Sequence, residues 1–186
     1  MFSPKVLDRA NTIEFRVQTS ELPEAPRVPT TLAPGPSDAV VALLQAALDD
    51  QLQDKEPAVG AAEFAEQFRA LHEVLSRHGA EFGYRSFYEA TRFAAVHCAL
   101  GDTSWERALD LQVMQKILPR LHGGRRKMEP ILVAIGLFCF SLTTEQGPPF
   151  DPADPGTGSP RLPISFGKVQ RMTANLRANQ FVSFSE

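Results

Sequence analysis

One segment of the sequence, 126–140, is apolar on nearly every side when it is drawn as a helix, and it overlaps the most hydrophobic stretch of the chain, 131–142. A helix of this kind has no face that can rest in water, so other elements must surround it. The stretch is shorter than the roughly 20 residues that a membrane-spanning helix needs. We therefore predict a helical bundle in which 126–140 is the central element.

Apolar stripes predict the helices that surround this segment. Over 61–78, four apolar residues recur at spacings of four, three and four, which places them on one face of a helix: Phe64, Phe68, Leu71 and Leu75. Comparable patterns predict helices that begin at 37 and near 83, that span 103–121, and that begin at 164. Gly79 should end the helix over 61–78, and Pro119 should disturb the last turn of the helix over 103–121.

The remaining segments are predicted to be strands and loops. Residues 12–17 alternate between polar and apolar side chains, and 181–184 are rich in Phe and Val, so each is predicted to be a short β-strand. The predicted fold class is mainly α, a helical bundle with short peripheral β-strands at both ends. Along the chain, the sequence divides into a strand segment at 1–18, a Pro-rich linker at 19–36, a helical bundle at 37–142, a Pro/Gly-rich loop at 143–163, and a terminal helix and strand at 164–186.

Composition argues against several classes of protein. A net charge of −3 and an isoelectric point near 5.8 argue against a basic nucleic-acid-binding surface over the whole chain. Cys98 and Cys139 lie in apolar runs without metal-ligand spacing, so they are predicted to be free, buried thiols of a reducing compartment. The first residues carry charges and lack the apolar segment of a secretory signal. We therefore expect a cytoplasmic protein without a membrane partner.

Sequence motifs for catalysis are lacking. The histidines at 72, 78, 97 and 122 have no cysteine or carboxylate partner at ligand spacing, so no metal site is predicted. The sequence contains neither a G-x-x-x-x-G-K-[ST] phosphate loop nor a G-x-S-x-G nucleophile turn. Residues 156–159 are glycine-rich, but no Lys-Ser/Thr pair follows them, and we interpret them as a loop.

Two arginines stand where they could reach a phosphate. Arg9 precedes the strand predicted over 12–17, and its planar fork could hold two phosphate oxygens across an interface. Arg85 follows Gly83 and Tyr84 at the start of a predicted helix, where its charge adds to the positive end of the helix dipole. The alternatives are a surface salt bridge for Arg9 and a solvated surface side chain for Arg85.

Two basic segments, 120–127 and 166–172, allow a further interpretation. The first could contact nucleic acid or an acidic partner, or its cations could simply complement the C-terminus of a helix. The second is a basic amphipathic helix, which is most simply a terminal helix docked on the bundle.

Taken together, these segments resemble one family, the McrB-like AAA+ NTPases of modification-dependent restriction systems. MFSPKVLDRANTIEF (1–15) resembles the stretch that contains the arginine finger and ends in the last strand of the nucleotide-binding core. FGYRSFYE (82–89) resembles the lid helix, which begins with the sensor 2 arginine. Residues 109–122, followed by two glycines, resemble the DLQ…QK-LP-LHG signature, and parts of 162–172 with 181–184 resemble the C-terminal helix and strand.

The resemblance implies an AAA+ lid extended by C-terminal helices, with 1–18 as a remnant of the AAA+ core. It implies that Arg9 is a catalytic arginine finger and that Arg85 binds nucleotide as sensor 2. The family's Walker A lysine, Walker B acid and sensor 1 residue lie upstream of the position of Met1, so the chain alone is expected to hold no nucleotide and to hydrolyse none. The chain would then be a truncated gene product or a split subunit.

A completed module would use ATP or GTP with Mg²⁺. The resemblance implies an AAA+ core or sister subunits as partners, together with a McrC-like nuclease subunit, and it implies only indirect contact with DNA.

Two other functions remain open from the sequence. A free-standing helical module could use the same fold to dock onto a partner protein without any nucleotide. A small DNA-contacting accessory protein could use 120–127 and the helix that carries Lys168 and Arg171. The second of these predicts DNA affinity that falls steeply with salt.

Overall fold

The computed structural model describes residues 6, 10–14, 38, 41, 60–99, 104–143 and 149–185. The chain divides into two compact units, one formed by 1–12 with 57–186 and the other by 13–56. In the second unit, Asp38 and Val41 are helical. The remainder of the helix predicted from 37, like the linker at 19–36, lies outside the described residues.

The first unit is mainly helical. The helix predicted over 61–78 ends before a turn at Gly79, as predicted. Gly79 has a φ of 62°, a backbone conformation that glycine adopts without strain. In this unit, four of the five predicted helices are confirmed with small shifts of their ends, and the helix predicted over 103–121 is confirmed as an α-helix only as far as Gln112. In chain order, the described α-helices are α1 (Ala61–Ser76), α2 (Tyr84–Ala99), α3 (Trp105–Gln112), α4 (Arg125–Ser141) and α5 (Pro163–Asn179).

The helix predicted over 103–121 changes its winding twice. After α3 the chain enters a π-helical segment, Val113–Ile117, and then a 3-10 turn, Leu118–Arg120. Pro119 lies in that turn, which agrees with the predicted disturbance because proline cannot donate a backbone hydrogen bond. The π-helical segment was not predicted.

Two short strands form an antiparallel pair, β1 (Gly123–Gly124) and β2 (Phe181–Val182), in which Gly123 lies opposite Val182. The strand predicted over 181–184 is therefore confirmed for its first two residues only. Its partner is the glycine pair that follows residues 109–122, for which no strand was predicted.

The strand predicted over 12–17 is wrong in its described part, since 12–14 have no regular secondary structure. The backbone N–H of Thr12 donates to the carbonyl of Gln115 at 3.1 Å, in the π-helical segment, instead of pairing with a strand. Residues 15–17 lie outside the described part of the chain.

The core of the first unit forms around α4, which packs against both α1 and α5. The apolar character of α4 on most of its faces is explained by this position between two helices. Its buried side chains are Met128, Ile131, Leu132, Ile135, Phe138 and Cys139. Cys98 and Cys139 are both buried, and neither forms a disulfide, as predicted. Burial raises the pKa of the Cys139 thiol, and the charge of Asp110 raises it further.

The described part of the Pro/Gly-rich loop, 149–162, is irregular and mostly exposed, but a few of its residues pack against α4. Leu162 and Pro152 are buried, and the ring of Phe150 lies 5.7 Å from that of Phe140. Gly136 of α4 makes room for this loop, because a Cβ there would lie 2.7 Å from Cγ of Pro152. In 60–99, 104–143 and 149–185, no helix combines the length and the apolar character needed to cross a membrane.

Candidate functional site

Arg85 is the second residue of α2, and its side chain is exposed. Among the described residues, no hydrogen bond or ion pair holds its guanidinium group. The N–H of Phe87 donates to the carbonyl of Gly83 at 3.3 Å, which closes the first turn of the helix. The amides of Tyr84 and Arg85 precede this bond and have no partner within the helix. Positive charge from the side chain and from the helix end thus coincide here.

An open cleft of about 430 Å³ lies between α1 and the start of α2. The guanidinium of Arg69 lies 5.3 Å above the ring of Phe87, and His72 meets the ring of Phe82 edge-on at 5.0 Å. The cleft therefore has an aromatic floor and a rim that carries charges. Its lining residues are Arg69, His72, Glu73, Phe82, Gly83, Tyr84 and Phe87.

Exposed aromatic residues flank Arg85 along α2. Tyr84 is 83% exposed and Tyr88 is 41% exposed, and their rings stack with centroids 6.5 Å apart. Tyrosine and arginine together are typical of binding surfaces, because they combine a large apolar area with directed polar groups. The start of α2 is thus suited to contact a partner as well as an anion.

Sequence reasoning singled out Arg85 but not the residues of α1 that line the cleft. Arg69, His72 and Glu73 have spacings of three and four residues, which place them on one face of a helix. That polar face was available in the sequence. Its proximity to the start of α2 depends on the packing of α1 against α2, which the sequence does not reveal.

The DLQ part of the signature has a structural role. Asp110 is 2% exposed, and its carboxylate accepts the backbone N–H groups of Ile164 at 2.8 Å and Ser165 at 2.7 Å. The hydroxyl of Ser165 donates to the backbone carbonyl of Asp110 at 2.7 Å. Asp110 therefore caps the N-terminus of α5 from another helix, and these contacts leave it no role in an exposed site.

Gln112, in the same motif, is 1% exposed, and both polar atoms of its amide lack a hydrogen-bond partner within the described residues. A buried amide without a partner is costly, and an ordered water is the usual way to satisfy one. The side chain precedes the π-helical segment, where the helical bonding pattern changes.

Lys116, also within 109–122, forms an ion pair inside the protein. It lies in the π-helical segment, it is 2% exposed, and its ammonium group donates to Oε2 of Glu89 in α2. The contact ties the segment after α3 to α2, one turn after Arg85.

The basic terminal helix is docked, as the simplest interpretation predicted, and this weakens its use as a DNA surface. Lys168 is 1% exposed, and it donates to the carbonyl of Phe184 at 2.5 Å while its ammonium lies 4.3 Å above the ring of the same residue. A lysine in this position fixes the end of the chain and cannot reach a phosphate of DNA.

The other basic segment, 120–127, is partly engaged within the chain. Arg125 donates to both carboxylate oxygens of Glu129, at 2.9 and 3.2 Å, and Arg120 donates weakly to the carbonyl of Glu81. Arg126 and Lys127 are exposed. Two exposed cations on one helix provide little positive charge for binding the phosphates of a nucleic acid.

Arg9, the predicted arginine finger, lies outside the described residues. Across the part of the chain that the structure describes, no group of three or more His, Cys, Asp or Glu side chains is arranged to hold a metal ion.

A protein-family model described as a domain of unknown function (DUF8727) matches residues 43–181, which is most of the chain. No curated protein and no solved structure gives a significant match.

Proposed function

The chain belongs to the DUF8727 family. We propose that it acts as the lid of a McrB-like AAA+ module, where Arg85 binds the phosphates of a nucleotide held by another part of the module. The observation that carries the proposal is an exposed arginine at the start of α2 that no described residue engages. The resemblance of 82–89 to the lid helix supports the same assignment.

The chemistry follows from charge. In phosphoryl transfer, negative charge develops on the transferred phosphate, and a cation placed beside it lowers the barrier. The guanidinium of Arg85 would supply this positive charge, together with the amides of Tyr84 and Arg85, which have no partner within the helix. Arg9 is proposed to act as an arginine finger on a neighbouring site, which rests on the resemblance alone.

The nucleotide would be ATP or GTP with Mg²⁺, held by a Walker A and Walker B core. We propose that this core, or sister subunits of the same module, are the partners, together with a McrC-like nuclease subunit, and that the assembly is cytoplasmic. The chain by itself would supply positioning and charge without hydrolysis.

Isothermal titration calorimetry with ATP and with GTP, in the presence of Mg²⁺, tests the proposal. It is run on the chain alone and on the chain mixed with the polypeptide that carries the phosphate loop, identified as a stable partner or as the product of an adjacent gene. Binding should be present in the mixture and should exceed that of either component alone.

The decisive variant is Arg85→Ala. A hydrogen bond to a charged group contributes about 1.5–3 kcal/mol, so its loss should weaken binding roughly 10- to 150-fold. Arg85→Lys should recover part of the affinity, because it keeps the charge and loses the planar fork. Arg126→Ala is the matched control, since Arg126 is also an exposed helical arginine that no described residue binds. If the mixture binds no nucleotide, or if Arg85→Ala binds as well as wild type, the proposal is wrong.

The stacked, exposed Tyr84 and Tyr88 favour a second function, a helical interaction module that docks onto a protein without a nucleotide. In that case Tyr84→Ala should weaken the complex with the same partner when nucleotide is absent, and Arg85→Ala should have no effect that depends on nucleotide. Sedimentation velocity on the mixed proteins, with and without ATP or GTP, distinguishes the two.

A further inference from the structure

Glu89 lies four residues after Arg85 in α2, so the two side chains share one face of the helix. Opposite charges at this spacing attract each other, and such a pair would occupy the guanidinium that a phosphate needs. In the structure this pair is not formed. The carboxylate of Glu89 binds Lys116 instead, and the described residues offer no other acceptor to that ammonium group.

The burial of the three groups decides which pair forms. Lys116 is 2% exposed, and a buried ammonium without a partner carries a large desolvation penalty. A pair between Arg85 and Glu89 would be exposed, where ion pairs contribute little. The same carboxylate therefore stabilises the protein far more at Lys116 than it would at Arg85.

The backbone around Lys116 is held by the core. Met114 and Ile117, in the same π-helical segment, are both buried, so the segment cannot leave the core without exposing them. In a π-helix the backbone bonds span five residues instead of four, so a residue within it points in a different direction than in a continued α-helix.

We infer that Lys116 is a positioning residue for Arg85: by holding Glu89, it keeps the guanidinium of Arg85 unpaired and available to an anion. The consequence for nucleotide binding rests on the proposed function. The competition between Lys116 and Arg85 for one carboxylate does not, and it can be measured on the chain alone.

Nitrogen-15 NMR of the arginine Nε–Hε groups reports on ion pairing of each guanidinium. The Arg85 signal is assigned from its loss in Arg85→Lys. In Lys116→Met, Glu89 is released, so the Arg85 signal should shift and its exchange with solvent should slow. In Lys116→Met combined with Glu89→Gln the signal should return to its wild-type position, and in Lys116→Arg, which keeps the charge, it should stay there.

Lys127→Met is the matched control, because Lys127 is an exposed lysine to which the described residues offer no partner. A merely structural role of Lys116 predicts general shifts that Glu89→Gln does not reverse. If Lys116→Met does not fold, Lys116→Gln is measured in its place, since glutamine keeps a donor and removes the charge. It should shift the Arg85 signal in the same direction by a smaller amount. An unchanged Arg85 signal in folded Lys116→Met or Lys116→Gln would overturn the inference.

Calorimetry on the mixture then tests the consequence. An exposed pair at this spacing is a weak competitor, so Lys116→Met should weaken nucleotide binding about twofold, and Glu89→Gln should restore it. If no variant and no wild-type mixture binds nucleotide, the proposed function fails while the NMR result still decides the role of Lys116. If nucleotide binds but the Arg85 signal does not change in Lys116→Met, the inference fails and the proposed function stands.

Discussion

Asp110→Ala should destabilise the fold strongly, because Asp110 joins α3 to the start of α5 from a buried position. Its carboxylate accepts the N–H groups of Ile164 and Ser165 at 2.8 and 2.7 Å. These amides belong to the first turn of α5 and have no carbonyl partner within the helix. Leu162, which precedes the helix, offers no side-chain cap of its own.

The size of the effect follows from the two bonds. Hydrogen bonds to a charged group contribute about 1.5–3 kcal/mol each, so the loss of both sets a ceiling of about 6 kcal/mol. Water that enters the vacated space satisfies part of the loss, and replacement of an ordinary N-cap residue by alanine costs about 0.5–2 kcal/mol. We expect a loss of about 3 kcal/mol in the free energy of unfolding, which leaves a domain of usual stability folded.

Urea unfolding followed by far-UV circular dichroism measures this change. Asp154→Ala is the control, since the side chain of Asp154 is exposed and no described residue hydrogen-bonds to its carboxylate. Ser165→Ala, which removes only the hydroxyl that donates to the carbonyl of Asp110, should cost about 1 kcal/mol. If Asp110→Ala costs no more than Asp154→Ala, with an unchanged slope against urea, the trans-helix cap does not stabilise α5 and the reasoning is refuted.

Two further changes test the packing of the Pro/Gly-rich loop, and a third, in α5, is the control for the second. Arg177 donates two hydrogen bonds to Asp151 and so lowers the pKa of that carboxyl, whose stabilising effect is therefore present above the unfolded pKa near 4 and is lost as the pH falls through the lower folded value. Because both groups are partly exposed, Arg177→Ala should lower the free energy of unfolding by only about 0.5 kcal/mol near neutral pH and should not lower it in acid. Thermal unfolding measures the change, and an equal loss of stability at both pH values would contradict this prediction. Gly136→Ala should cost about 1–3 kcal/mol, because the added methyl would lie 2.7 Å from Cγ of Pro152. Gly167→Ala, whose methyl meets nothing closer than 3.8 Å, should stabilise α5 by about 0.5–1 kcal/mol, and shifts of the same sign in both variants would show that the packing is misassigned.

The sequence predicts the helices well because each has an apolar stripe. The π-helical segment Val113–Ile117 gives no such signal. Val113, Ile117 and Leu121 all remain buried despite the one widened turn, so their spacing in the sequence is that of an ordinary helix. Likewise, β1 is a pair of glycines, and glycine has little intrinsic preference for strands, so its pairing with β2 could only be seen in the fold.

The position of Arg85 in the first turn of a helix could be predicted, because Gly83 interrupts the preceding apolar pattern. The cleft beside it could not, since the cleft depends on where α1 lies against α2. Lysines were the least predictable residues. Lys116 and Lys168 look like surface charges in the sequence, and both are buried with a partner from a distant part of the chain.

The buried polar residues of the segments that resemble McrB-like proteins can now be divided by what they bind. Asp110 caps α5, Lys116 holds Glu89, and Lys168 holds the backbone at the end of the chain. A protein that used this fold only to dock onto a partner would need all three contacts as much as a nucleotide-binding lid would. These three residues are therefore explained by the packing of the fold, and they do not distinguish a nucleotide-binding lid from a docking module. Arg85 differs, because no described residue binds it. Its replacement should leave the free energy of unfolding unchanged, so any loss of nucleotide binding in Arg85→Ala measures function alone.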